Sequence, residues 1–185
     1  MTNKARFFQL LGLASMANPL IADAHPWHNP SEAIGFVGGM VHPLTGSDHI
    51  ITLLVVGFWL ARGSGWAIAA LPLLFVALMI IGGGLTLIPI EIAHAENIMI
   101  LSATLLGLML LSKYKVSPLI AALVVGNLAL FHGYVHAYDI WLDSDAVAYT
   151  AGFALSTLIV IAVGVSISKA FERLALQNDS PFNSR

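Results

Sequence analysis

Cysteine is absent from the 185 residues, which excludes disulfides, iron–sulfur clusters and thiolate metal sites. Charge is nearly as scarce. Asp, Glu, Lys and Arg make up 10% of the chain, against about 25% in a soluble domain, while 58% is hydrophobic. The eight basic residues stand in short gaps between apolar runs of roughly 12 to 23 residues, so most side chains must face lipid rather than water. This is the composition of an integral membrane protein. A net charge of -2 with no basic patch argues against a nucleic-acid partner. There is no glycine-rich phosphate loop of the GxxxxGK[ST] kind, so any transport must run on a gradient, a proton exchange or partner subunits. Seven histidines and ten acids remain to carry chemistry.

The N-terminus reads as a secretory signal over residues 1–24: Lys4 and Arg6, an apolar stretch from Phe7 to Ala17, then Pro19 and the small-residue triplet Ala22-Asp23-Ala24. Cleavage would leave His25 at the head of a polar segment, 25–30. The alternative is an uncleaved anchor helix, for which the apolar stretch is short. A permease-like membrane domain then occupies 31–170, with apolar segments near 31–42, 47–61, 66–85, 91–112, 117–137 and 146–168, punctuated by Pro43, Gly46, Gly63, Gly65, Pro89 and Pro118. The expected fold is all-α with six helices. The last four segments are long enough to cross a bilayer alone. The first two extend about 18 and 22 Å and together make one broken crossing. In that five-crossing arrangement Arg62, Lys113, Lys115, Lys169 and Arg173 gather on the cytoplasmic side, and Glu91, Glu96, Asp139, Asp143 and Asp145 on the outside, with a cytoplasmic tail over 171–185 that is unstructured from Gln177. Six full crossings would invert that distribution. Gly35 and Gly39 form one GxxxG, a sign of close helix packing.

Ionisable side chains within membrane segments cost about 2.5 to 3.5 kcal/mol each on insertion scales, so clusters of them need a reason. In the first cluster, His42-Pro43-Leu44-Thr45-Gly46-Ser47-Asp48-His49, proline and glycine interrupt a helix, and the break lets His42 and His49 converge. Asp48 can ligate an ion or orient a histidine. The alternative has Ser47 or Asp48 capping the second helix and both histidines bonded to loop carbonyls. The second cluster, Phe131-His132-Gly133-Tyr134-Val135-His136, sets two imidazoles at i and i+4 on one helical face, with Asp139 near the same end. An interfacial belt with Tyr134, Tyr138 and Trp141 would account for the aromatics but not for the pair. In the third, Glu91 and His94 stand at i and i+3, a carboxylate–histidine spacing found in metal-binding bundles, although an acidic helix start has the same look. At the cleaved N-terminus, the free amine and ring of His25 can clamp an ion, and His28 can add a ligand; Pro26 has no amide proton to give up. The 91–96 and 132–139 clusters both fall at the external face and His42 to His49 at a break within the membrane, as in a funnel leading to a buried site.

At these residues the sequence resembles the HupE/UreJ family of small membrane permeases. The family pattern HPxxGxDH is matched by His42, Pro43, Gly46, Asp48 and His49. A second pattern, FHGxxHGxE, is met by Phe131, His132, Gly133 and His136, with Ala137 in place of Gly and Asp139 in place of Glu. The resemblance spans nearly the whole chain. It implies carriage of Ni²⁺ or Co²⁺ for hydrogenase or urease, in a bacterial cytoplasmic (inner) membrane, with the mature N-terminus external, no prosthetic group, and a homo-oligomer or accessory subunits as partners beside the bilayer. The residues themselves specify less: a nitrogen- and oxygen-rich site for a borderline divalent cation, at which copper would bind more tightly than nickel.

Two other functions fit a histidine-rich membrane chain. A membrane metalloenzyme is one, but the zinc hydrolase pattern H-E-x-x-H needs a glutamate where Gly133 stands, and a di-iron site needs more carboxylates than Glu91 and Asp139 offer. A haem protein with axial histidines from two helices is the other, and it would be coloured when purified.

Overall fold

A computed structural model describes residues 34–63, 65–88, 91–111, 118–141 and 145–178. The expected signal peptide, the 25–30 segment with His25 and His28, Lys113, Lys115 and the last seven residues lie outside them. Among the described residues there are six helices and no strand: α1 (Gly35–Thr45), α2 (Ser47–Leu60), α3 (Ala67–Leu85), α4 (Ala95–Leu111), α5 (Pro118–Trp141) and α6 (Ala146–Asn178). The chain is an all-α membrane protein. Leu73, Leu74, Ile80 and Ile81 on α3, and Leu155, Ile159 and Val163 on α6, point outward, and such an apolar exterior is stable only in lipid. The spans Ile68–Leu85 and Ala146–Leu174 are each long and apolar enough to cross a bilayer.

Three expectations change. Of the four segments expected to cross a bilayer alone, only Ile68–Leu85 and Ala146–Leu174 are long and apolar enough, whereas Ala95–Leu111 and Ala122–Ala137 are apolar but shorter. Residues 91–94 stay out of the helix, so α4 begins only at Ala95 and is shorter than the apolar run suggested. The chain also remains helical through Asn178, beyond the point at which an unstructured tail was expected.

The break at Gly46, whose backbone is extended (φ -89, ψ 120), bends α1 against α2 by 79°. Pro43 contributes by lacking the amide that would bond back along α1. The hydroxyl of Thr45 donates to the His42 carbonyl at 3.0 Å and satisfies one of the groups the break releases. α1 starts beside Asp145 and Ala148. α2 ends where the Arg62 guanidinium donates to the Met109 and Leu110 carbonyls of α4, at 3.4 and 3.3 Å. The bent pair therefore makes one passage between opposite ends of the bundle. Arg62 shares its end with the last turns of α6, which carry Lys169 and Arg173, whereas Glu91, Glu96 and Asp145 occupy the other end.

Within this arrangement α2 is the central post. Leu53, Val55, Val56, Phe58 and Leu60 are all buried, and Phe75, Leu106, Leu128 and Ile161 pack around them from four other helices. A short helix that is apolar on every side can be stable only when surrounded in this way.

Three helix crossings are closed by glycine from both sides. A methyl group on Gly39 of α1 would overlap the Tyr149 carbonyl of α6, and one on Gly152 of α6 would overlap the Phe36 carbonyl of α1. Gly57 and Gly164 stand in the same relation where α2 meets α6, as do Gly82 and Gly133 where α3 meets α5. In lipid no hydrophobic force draws helices together, so backbone contact of this closeness supplies the dispersion energy that does. Gly133 and Gly152 matter further because they fix the helical faces that carry the site.

Candidate metal centre

In an unbroken helix, His42 and His49 would be about 10 Å apart along the axis, at 1.5 Å per residue. The bend at Gly46 brings their ring centroids to 5.2 Å, nearly stacked. From α5, His132 and His136 project one turn apart with centroids 4.7 Å from each other. His136 meets His49 at 4.4 Å and His42 at 5.4 Å, and His132 meets His49 at 5.2 Å. Four imidazoles from three helices thus converge inside the bundle. His49 and His132 are buried, and His132 is 2% exposed.

Each of His42, His49 and His136 offers a ring nitrogen, and the three atoms lie within 4.8 Å of one another. Nε2 of His49 and Nε2 of His136 are 2.8 Å apart, the separation at which one ring donates its proton to the other's lone pair. A metal ion with bonds of about 2.0 to 2.1 Å to imidazole would take the place of that proton after a small spreading of the two rings. His132 stands beside this group, and its Nε2 has no hydrogen-bond partner among the described residues.

α6 closes the site with two aromatic residues. The ring of Phe153 lies 5.4, 6.1 and 6.0 Å from His42, His132 and His136. The hydroxyl of Tyr149 lies 2.8 Å from Nδ1 of His42. When Nδ1–H donates to that oxygen, Nε2 keeps its lone pair for an ion; when the hydroxyl donates, Nε2 carries the proton. The phenol therefore couples to the tautomer of His42 and holds the ring in place, as polar groups behind a ligating histidine generally do. Sequence reading missed Tyr149 and Phe153. Their only signal is an i, i+4 aromatic pair within an apolar helix, which an ordinary core helix also shows.

The remaining candidates fare differently. Glu91 and His94 do not share a helical face, which corrects the expected i, i+3 pairing: His94 adopts a left-handed backbone (φ 62) in a turn, and its carbonyl accepts the first bond of α4 from the Ile98 amide at 3.0 Å. Both side chains are exposed and away from the four rings. The turn is nevertheless tied to α5, since the Ile92 amide donates to the Tyr134 hydroxyl at 2.9 Å. Asp48 and Asp139 occupy positions on α2 and α5, but their side chains, like His25, lie outside the described residues.

A family profile described as HupE / UreJ protein matches residues 13–180. The chain belongs to the HupE/UreJ family. Among its relatives, "Protein HupE" of Rhizobium leguminosarum bv. viciae is 37% identical over 156 residues, covering 84% of this chain and 80% of that protein. No solved structure matches. Within this HupE/UreJ member, the two histidine motifs read from the sequence are the two elements that meet inside the bundle.

Proposed function

We propose that this HupE/UreJ member is a permease that carries a divalent transition-metal ion, Ni²⁺ or Co²⁺, across the bacterial cytoplasmic membrane into the cell. The observation that carries the reading is the convergence of His42, His49 and His136, with His132 beside them, at a broken helix inside the bundle. Broken helices with ligands at the break are how transporters build ion sites at membrane depth. Neutral imidazole suits nickel and cobalt, and the resemblance of the motifs narrows the cargo to those two. We read the ion as cargo rather than as the tool of an enzyme, because Gly133 follows His132 where a helical zinc hydrolase carries its glutamate base.

Charge supports the inward direction. With Arg62, Lys169 and Arg173 placed in the cytoplasm, the Glu91–Glu96 turn and the Asp145 end face outward, and the histidine cluster, nearer the Asp145 end, is reached from outside. His25, Asp48, Glu91, His94 and Asp139 complete the proposed route as capture groups and further ligands.

The test is uptake by proteoliposomes holding the purified full-length chain, offered nickel, cobalt or zinc with and without a pH gradient. Saturable entry of nickel or cobalt is expected. Binding without entry would refute the permease reading, and a haem absorbance band in the purified protein would redirect it.

A further inference from the structure

Four of the hydroxyl side chains on α6 fall into two pairs. Thr150 and Ser166 return their hydroxyls to the carbonyls of Ala146 and Ala162 four residues back, each at 2.7 Å, and on α4 Ser102 and Thr104 do the same at 2.8 and 2.9 Å. This is the usual way for a hydroxyl to be satisfied in a membrane helix. Ser156 and Thr157 do not follow it. They are 1% and 0% exposed, and neither Oγ has a hydrogen-bond partner among the described residues.

Their place in the fold gives this contrast meaning. Ser156 and Thr157 follow Phe153 by three and four residues, one helical turn deeper on the face that meets the histidines. They precede the Gly57–Gly164 crossing, so they lie between the four rings and the end of the bundle that carries Arg62. Thr52, three residues beyond His49 on α2, is also buried. The leucine and isoleucine at 155 and 159 face lipid while the two hydroxyls face inward. His132, whose Nε2 has no hydrogen-bond partner among the described residues, stands one turn deeper along α5 than His136. An unsatisfied buried hydroxyl costs about 1 to 3 kcal/mol, and two adjacent ones in a lipid-embedded bundle would not persist for packing alone.

We infer that Ser156 and Thr157, with Thr52 and Nε2 of His132, form a second, oxygen-rich station for the ion and its water, one turn inward from the histidine site. This inference rests on the permease reading and names the next step of the route. Three or four imidazoles hold a nickel ion tightly. A carrier must also release it, and a neighbouring set of weak oxygen donors lets the ion exchange imidazole for hydroxyl and water one ligand at a time. Ordered water between these hydroxyls fills their bonding capacity when no ion is passing.

The experiment compares the wild-type chain with the double variant Ser156→Ala/Thr157→Val and with Ser102→Ala, a buried hydroxyl already bonded to its own helix. Each is tested for equilibrium Ni²⁺ binding in detergent, Ni²⁺ flux into proteoliposomes and thermal midpoint. The double variant is expected to bind nickel within twofold of wild type, to lose flux at least tenfold, and to keep the wild-type thermal midpoint, because neither hydroxyl bonds to another helix among the described residues. Ser102→Ala is expected to match wild type in flux. Flux within twofold of wild type in the double variant overturns the station. So does a loss of binding or melting temperature parallel to the loss of flux, which would make the two residues structural. A wild-type protein that binds nickel and moves none defeats the permease reading itself, and this step with it.

Discussion

Replacing Gly133 by alanine changes no candidate ligand, yet it should disable the site. A β-carbon at this position would lie 2.6 Å from the Met79 carbonyl carbon and 2.9 Å from Met79 Cα, and it would overlap the Met79 oxygen outright. Ordinary contact begins at 3.4 Å, so the carbonyl carbon alone requires α5 to retreat from α3 by 0.8 Å (3.4 − 2.6). The obstacle is backbone and cannot rotate away. His132 and His136 flank Gly133 and move with it, whereas a designed or natural site must keep its ligands within about 0.5 Å of their working positions. Overpacking of this kind costs about 1 to 3 kcal/mol, and a loss of 1.4 kcal/mol in binding is a factor of about ten in affinity. Gly133→Ala should therefore bind nickel about 5- to 100-fold more weakly by titration calorimetry, with uptake reduced to match. Gly126→Ala is the control on the same helix, because its β-carbon would meet only Leu78 Cδ1 at 3.7 Å. If Gly133→Ala inserts normally and binds and transports like wild type, the claim that the α3–α5 contact sets the histidine geometry is wrong.

Other consequences can be checked separately. Tyr149→Phe keeps the ring that packs on Phe153 but removes the partner of His42 Nδ1; nickel affinity should fall about 10- to 100-fold, and unchanged affinity would remove Tyr149 from the site. His132→Ala and His136→Ala should combine non-additively in uptake, the double variant being no worse than the poorer single, whereas multiplicative losses would indicate separate roles. For topology, a reporter fused after Arg173 should be cytoplasmic and one between Asp139 and Asp145 external; the reverse result would turn the proposed route around.

The broken crossing and the two histidine motifs were legible because they rest on local rules: Pro43 and Gly46, three residues apart, weaken a helix at one place, and i, i+4 spacing fixes a shared face. What the sequence withheld depends on partners distant along the chain. Gly35 and Gly39 suggested a packing motif, but the reason for glycine at 39 is the Tyr149 backbone, 110 residues further on. Tyr149 and Phe153, and the inward hydroxyls of Ser156 and Thr157, were hidden within one apolar run, since composition does not distinguish the lipid-facing side of a helix from the side facing a site. The Glu91–His94 pairing failed for a different reason. Counting i, i+3 presumes a helix, and after the left-handed turn at His94 that helix starts at Ala95, four residues too late to hold Glu91.

The most direct measurement of the central claim is X-ray absorption at the nickel edge on the purified, nickel-loaded chain, compared with its His42→Ala/His49→Ala/His136→Ala variant. The convergence of three ring nitrogens within 4.8 Å predicts at least three imidazole ligands on one nickel in the wild type and none of that signature in the variant. A wild-type spectrum with only oxygen neighbours, or one identical in both proteins, would contradict it.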